Sequence, residues 1–178
     1  MIENLVDIDD FKGKYYLKLP TQITNAFDVI IQEVQYNILI DLMGFPIYNE
    51  FETGLGIVPI PSQWTDLRDG TTYTDYCSYL NNWQGLKYML IPFIWTEWIE
   101  NEQFKISGLG MITGKPENSD MASDFQWKTK LHDFKNEAIK RYREAYSFMY
   151  SNLEDYNDFT TFYKQKRLNQ IIAKGSIR

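Results

Sequence analysis

Acid–base or nucleophilic chemistry in this chain would depend on a small set of side chains. His132 is the only histidine, so a Ser-His-Asp or Cys-His arrangement would rest entirely on it. Glu97 and Glu100 lie beside Trp95 and Trp98, which suggests a carboxylate pair next to an aromatic platform for a sugar. The two glutamates fall on one helical face, however, whereas glycosidase carboxylates normally converge from different elements. A solvated helix face therefore explains them better.

Other patterns point to ligand chemistry but lack the residues that would complete it. The stretch SGLGMITG, with Gly108, Gly110 and Gly114, is similar to a phosphate loop, yet neither Gly-Lys-Ser/Thr nor Rossmann spacing follows it. The aspartates between residues 7 and 10 lack the glycine and the distal glutamate of a calcium loop. The sequence therefore predicts no catalytic residue, no cofactor and no metal site.

Composition and charge limit the class of protein. The 178 residues are enough for one domain with a sizeable core, and 16% of them are aromatic. Acidic residues outnumber basic ones 24 to 18, for a net charge of −6. This balance argues against a protein that grips nucleic acid, which normally shows a basic surface, but it is compatible with an acidic passage for DNA. The excess of Tyr and Trp suggests contact surfaces between proteins, with a Tyr-rich core as the alternative.

Cysteine usage and apolar runs bound the compartment. Cys77 is the only cysteine, which excludes an internal disulfide and a cysteine-based zinc site. The N-terminus, MIENLVDIDDFKGK, is acidic where a signal peptide would be basic. The longest apolar run, YMLIPFIW, has eight residues, far short of the roughly 18 that cross a membrane. We therefore expect a soluble protein made in a reducing cytoplasm, without membrane contact.

The elements that must position these residues are mainly helices. From about Asp120 to Asn152, apolar residues recur every three or four positions, the spacing of one buried stripe on a long helix that Ser119 or Ser123 would cap. The stripe consists of Trp127, Leu131, Phe134, Ala138, Tyr142, Ala145 and Met149. The charged residues between them, Arg141 included, predict a solvated face, with a phosphate or an acidic partner as the alternative.

Two other helices precede this one. The first is expected from Gln22 to Met43, where Gly44 ends it, and Pro46 begins one or two further turns. The second is expected from Trp83 to Gln103, with an internal proline that should kink or split it. Residues 55–82 between them carry turn signals that predict an irregular section with a short hairpin, in which Ser62 caps one helical turn.

The remaining segments complete the predicted architecture. We expect a short strand at Tyr15–Leu19, a glycine-containing loop at residues 104–120, and a last short helix at Asp158–Lys166. The fold class is therefore mainly α: a small helical bundle with one long C-terminal helix, a hairpin insertion and an extended tail. Residues 1–178 form one domain, with an N-terminal arm at 1–20 and a C-terminal tail at 153–178.

The order of elements resembles the head–tail connector (adaptor) proteins of tailed bacteriophages. The resemblance lies in NILIDLMGFPIYNEF after the first helix and in GLKYMLIPFIWTEWI in the second. In that family a helix ends in a glycine turn followed by Tyr and Phe, and a polar stretch precedes the long helix. The corresponding residues here are Met43, Gly44, Tyr48, Phe51, Glu117, Asn118 and Ser119. The resemblance extends from about Gln22 to Asn152, and the tyrosine-rich character suits a crAss-like or other Bacteroidetes phage.

This resemblance implies a structural role in the virion. Family members form a ring, typically of twelve copies, between the portal at the capsid vertex and the tail, and the ring continues the channel through which double-stranded DNA passes. The implied partners are further copies of the chain, the portal and the next tail component. The expected contact residues are Trp64, Tyr73, Tyr76, Ile106, Leu109, Met111, Leu168, Ile171, Ile172 and Ile177. The last four are expected to dock onto the portal, with packing onto the chain's own helices as the alternative. The alternatives are a tail-completion factor, a host-encoded helical adaptor, or a small hydrolase using Glu97, Glu100 or His132.

Overall fold

The computed structural model describes residues 4–16, 24–108, 124–156 and 158–161, and their side chains except at 24–25, 102–108 and 124–128. In chain order the elements are 3-10 turns at Ile8–Asp10 and Gly13–Tyr15, helix α1 (Thr24–Leu55), helix α2 (Ser62–Asp69), strands β1 (Thr71–Thr74) and β2 (Leu80–Trp83), helix α3 (Gly85–Gly108) and helix α4 (Asp124–Ser151). The predicted fold class, mainly helical with a small hairpin between helices and one long late helix, is confirmed.

The core lies where α3 packs along α4, and α1 and α2 also pack against α3. Aromatic side chains fill it: the ring centroids of Trp95 and Phe134 are 4.3 Å apart, and those of Phe27 and Trp98 are 4.9 Å apart in an edge-to-face contact. The predicted stripe on α4 is confirmed, because its members from Phe134 to Met149 are buried or half-buried. The side chain of Trp127 and the capping serines lie outside the described residues.

Gly44 divides α1 into two helical halves. Its φ of 77° and ψ of 160° are not helical, and a positive φ costs glycine little because it has no Cβ. Pro46 stands at the start of the second half, where its missing N–H breaks no helical hydrogen bond. The predicted stop at Gly44 and restart at Pro46 are therefore confirmed, and the second half continues to Leu55.

Pro92 lies inside α3, but the helix is continuous from Gly85 to Gly108, so the predicted split does not occur. A proline has no N–H, and the carbonyl of Tyr88, four residues earlier, therefore loses its usual helical partner. Arg141 of α4 replaces it, since its Nη1 donates to the Tyr88 carbonyl oxygen at 2.5 Å. A side chain from the neighbouring helix thus satisfies the backbone group that the proline leaves open.

Arg141 is buried, and the prediction that placed it on a solvated face is wrong. It is 5% exposed, and its guanidinium lies 3.6 Å from the ring centroid of Tyr88. Its Nη2 donates to Glu137 at 2.5 Å, and Lys14 forms a second ion pair with the same carboxylate. Burial raises the pKa of Glu137, but hydrogen bonds from Lys14 and Arg141 outweigh it and hold that pKa below its ordinary value.

The N-terminal segment is part of the core. Val6, Phe11 and Tyr15 are buried, and Phe11 packs edge-on against Phe27 of α1 with centroids 5.0 Å apart. Tyr15 belongs to a 3-10 turn rather than to the predicted strand, because its backbone closes a turn on Lys12. Tyr16 ends that turn, with its N–H donated to the carbonyl of Gly13, and residues 17–19 of the predicted strand lie outside the described residues.

Three predicted boundaries differ from the structure. Helix α2 has eight residues instead of one turn, and Ser62 is its first residue while Pro61 precedes it, so the serine does not cap it. Helix α3 begins after Trp83, which belongs to β2, and extends to Gly108. Of the predicted last helix, residue 158 lies in a turn, residues 159–161 are helical, and residues 162–166 lie outside the described residues. Within the described chain, no helix is long and apolar enough to span a membrane.

Candidate interaction surfaces

The hairpin of β1 and β2 is fixed to the core by its last residue. Trp83 donates its indole N–H to the carbonyl oxygen of Leu67 at 2.9 Å. Its ring stacks on Phe148 of α4 with centroids 5.8 Å apart and an interplanar angle of 17°, and Tyr73 contacts the same phenylalanine edge-on at 5.2 Å. The base of the hairpin therefore has a defined position on α2 and α4.

Two glycines allow the chain to pass closely over itself at this base. Gly70 has a φ of 95°, and a Cβ added there would lie 2.4 Å from the carbonyl oxygen of Trp83. Gly85 has a φ of 89°, and its Cβ would lie 2.5 Å from the carbonyl oxygen of Arg68. At each position, the positive φ and the short distance from the added Cβ both exclude a larger side chain. These glycines therefore determine how the hairpin follows α2 and precedes α3.

Asp75 organises the loop between the strands. Its Oδ1 accepts the backbone N–H groups of Cys77 and Tyr79, each at 2.9 Å, and its Oδ2 accepts the side-chain amide of Asn81 at 2.9 Å. The backbone N–H of Tyr79 is the main reason why the pKa of Asp75 is lower than that of an ordinary aspartate. One carboxylate thus holds the loop in a single shape.

The ordered loop exposes apolar side chains. Tyr76 is 78% exposed, Leu80 77% and Tyr79 71%, and the ring of Tyr76 meets that of half-exposed Tyr150 at the end of α4, with centroids 6.4 Å apart. We call Tyr76, Tyr79, Leu80 and Tyr150 the hairpin-tip patch. Exposed apolar side chains grouped on one loop are typical of a surface that binds other proteins, where tyrosine is enriched.

A cleft with a volume of about 990 Å³ lies between α1, α2 and α3. Its charged walls are already paired. Arg68 makes two 2.7 Å hydrogen bonds to Asp69, and Lys87 makes a 2.8 Å ion pair with Asp10. The first pair lies within α2, and the second holds the N-terminal segment against α3, which gives these charges a structural role.

The predicted contact residues divide into three groups. Trp64 is buried against Phe51 and Tyr156 and has almost no surface to offer a partner, whereas Tyr73 is half-buried and Tyr76 is exposed. The backbone at residue 106 is in α3, and its side chain is not among those described. The other predicted contact residues lie outside the described residues: Leu109, Met111, Leu168, Ile171, Ile172 and Ile177.

The residues considered for catalysis lie on α3 and α4. His132 is exposed on α4. Glu97 is exposed and accepts a long 3.4 Å hydrogen bond from Asn101, while Glu100 forms a 2.6 Å ion pair with Lys135 across α3 and α4. The contacts of Glu100 therefore join two helices. The described part of the chain also has no cluster of three His, Cys, Asp or Glu residues that could hold a metal ion.

The aspartates near the N-terminus have a local function. Asp7 accepts the backbone N–H of Asp9 at 2.8 Å, and Asp10 accepts the N–H of Asp7 at 3.0 Å, which together form a capping box. These carboxylates therefore order a 3-10 turn. Tyr79 and Leu80, which sequence reasoning did not select, are exposed in the loop and at the start of β2.

Comparison of the chain with protein-family models, with curated proteins and with solved structures finds no match. The likeness to head–tail connectors described above therefore stays a prediction.

Proposed function

We propose that this protein is a structural subunit of a tailed-phage virion, which assembles into a ring between the portal and the tail and continues the DNA channel. The observation that carries the proposal is the hairpin-tip patch, an exposed aromatic surface on a loop of fixed shape. The order of helices and the Gly44 turn, which resemble those of head–tail connectors, support it. The proposal assigns no catalytic role to the chain.

Rigidity of the hairpin is what suits it to assembly. A loop that is already ordered by Asp75 and anchored through Trp83 loses little conformational entropy when it docks. Tyrosine side chains add large contact areas with few rotatable bonds. The patch is therefore expected to contact the neighbouring subunit in the ring.

The charge balance suits a channel. With 24 acidic and 18 basic residues, the chain can present an acidic lumen that repels DNA phosphates and so lets the genome slide. A channel face lined chiefly by Lys and Arg in an assembled ring would contradict this part of the proposal.

The test is assembly of the full chain, alone and with the cognate portal, by sedimentation velocity and negative-stain microscopy over a wide concentration range. We expect rings, or an added layer on the portal. Replacing Tyr76, Tyr79 and Leu80 by Ser should abolish that assembly while circular dichroism shows an intact fold. The matched control is Val58→Ser, which removes an apolar side chain that is 94% exposed but lies outside the patch.

Cys77 supplies a second readout without any mutation. It is the only cysteine and is exposed at the loop, so a maleimide should label it readily in the free subunit. Burial of the patch on assembly should slow this labelling. A wild-type chain that neither forms rings nor binds the portal, or a triple variant that assembles normally, would overturn the proposal.

A further inference from the structure

A second surface lies in the angle between the two halves of α1. Because Gly44 breaks the helix, Val29 and Tyr36 of the first half and Phe45 and Tyr48 of the second line one groove of about 510 Å³. We call it the α1 groove. It is separate from the hairpin-tip patch, since none of the residues that line it belongs to the hairpin.

The α1 groove is apolar and accessible. Val29, Tyr36 and Phe45 are all exposed, although each is a large apolar side chain. Tyr48 forms the buried floor and contacts Tyr36 edge-to-face at 5.4 Å. Exposed apolar groups that converge on one concavity are typical of a groove that receives a peptide segment.

Its charge is of one sign. The charged residues among those lining the groove are Glu33 and Glu52, both acidic. Burial, and then the nearby carboxylate of Glu52, raises the pKa of Tyr48 above its ordinary value. An occupant should therefore be both apolar and basic.

We propose that the α1 groove binds residues 162–178 of a neighbouring copy of the chain. This segment, which lies outside the described residues, contains five of the 18 basic residues and none of the 24 acidic ones. Its apolar residues Leu168, Ile171 and Ile172 are three and four positions apart, which is the pattern of an anchor for an apolar groove. The positive charge of the segment is thus opposite to that of the groove, and its apolar residues suit the apolar lining of the groove.

That the segment binds a neighbouring copy, and that this contact repeats around a ring, rests on the proposed function. The α1 groove and the basic segment are different surfaces, so their contact is heterologous, and repetition of such a contact produces a ring when the rotation closes. Each subunit would give one segment and accept one. This assigns the basic segment to the neighbouring subunit rather than to the portal.

The test is site-specific photo-crosslinking in the full chain. Ile171 is replaced by p-benzoylphenylalanine, equal amounts of ¹⁴N- and ¹⁵N-labelled protein are mixed, with and without the cognate portal, and the irradiated products are mapped by mass spectrometry. We expect cross-links to Val29, Tyr36 or Phe45 that join a light chain to a heavy one. Cross-links within one chain, to the portal, or to another surface would overturn the inference.

A charge variant tests the ionic part. Glu33→Lys should lower the yield of these cross-links about two- to fivefold, because it replaces an attraction by a repulsion at an exposed ion pair. Glu50→Lys, an equal charge change at an exposed position of α1 outside the groove, should leave the yield unchanged. Equal yields from both variants would contradict the charge argument.

Microscopy of the same samples separates this inference from the proposed function. Rings that lack cross-links in the α1 groove would overturn the inference alone. A wild-type chain that forms no ring and binds no portal would overturn the proposed function, whatever the cross-links show.

Discussion

Arg141→Met should strongly destabilise the fold, because the change removes a buried cation with three different contacts. The carbonyl of Tyr88 would lose its donor, and an unpaired buried carbonyl costs about 1–3 kcal/mol. Glu137 would lose one of its two cationic partners, but it keeps Lys14 and its side chain is 25% exposed. The free-energy cost of this loss should therefore be near the lower end of the range for a broken buried ion pair. We expect the free energy of unfolding to fall by about 3 kcal/mol.

The structure gives this variant a specific rescue. Pro92→Ala restores an N–H four residues after Tyr88, and this group can then donate to the carbonyl that Arg141 satisfies in the wild type. The cost of Arg141→Met should therefore be smaller when residue 92 is alanine. We expect the double-mutant cycle to show a coupling of about 1–2 kcal/mol.

Urea unfolding of the full chain, followed by circular dichroism and tryptophan fluorescence, measures both quantities. The expected loss corresponds to a melting temperature lower by about 6–12 °C for a chain of this size. Arg143→Met, an exposed position on the same helix, is the control and should change the free energy of unfolding by less than about 0.5 kcal/mol. Additivity of the two changes within about 0.5 kcal/mol would refute the role assigned to Arg141 at the proline.

Two further predictions concern the hairpin. Gly70→Ala should lower the free energy of unfolding by at least about 1–3 kcal/mol, because alanine is strained at this positive φ and its Cβ would meet the carbonyl oxygen of Trp83. The control is Gly56→Ala, where the added Cβ makes an ordinary contact and the free energy of unfolding should change little. Parallel thermal melts compare the two variants. The folded-state pKa of Asp75 lies below its unfolded value, so its hydrogen bonds stabilise the loop above pH 4 or so and are lost as the pH falls through the folded pKa. Amide exchange of Tyr79 measured by NMR should report this loss, and Asp75→Asn should remove the pH dependence; equal exchange in both proteins across this range would contradict it.

Local patterns predicted the helices of this fold because each depends on spacing within one segment. The stripe on α4 and the stop at Gly44 were predicted correctly for this reason. Burial of the N-terminal segment was not predicted, since Val6, Phe11 and Tyr15 follow no helical or strand period and are ordered by contacts distant in sequence.

Arg141 shows where this kind of inference ends and what could extend it. It was assigned to the solvated face because it is charged, although it is four residues from Ala145 and seven from Phe148, both buried on the same side of α4. An internal proline in a helix is a second signal, because the carbonyl four residues before it lacks its usual N–H donor and needs another. Neither signal names the partner helix, which only the packing of α3 on α4 provides.

The candidate surface was predictable only in part for the same reason. Trp64 was predicted as a contact residue, yet it is three residues from Leu67, so the two share one face of α2 and are buried together. In a strand, every second side chain faces the core. Tyr76 lies in the loop after β1, where this alternation has ended, and it is exposed. Tyr76 and Tyr79 are thus contact candidates because they lie in the loop of a hairpin, whereas the helical spacing of Trp64 and Leu67 places Trp64 in the core.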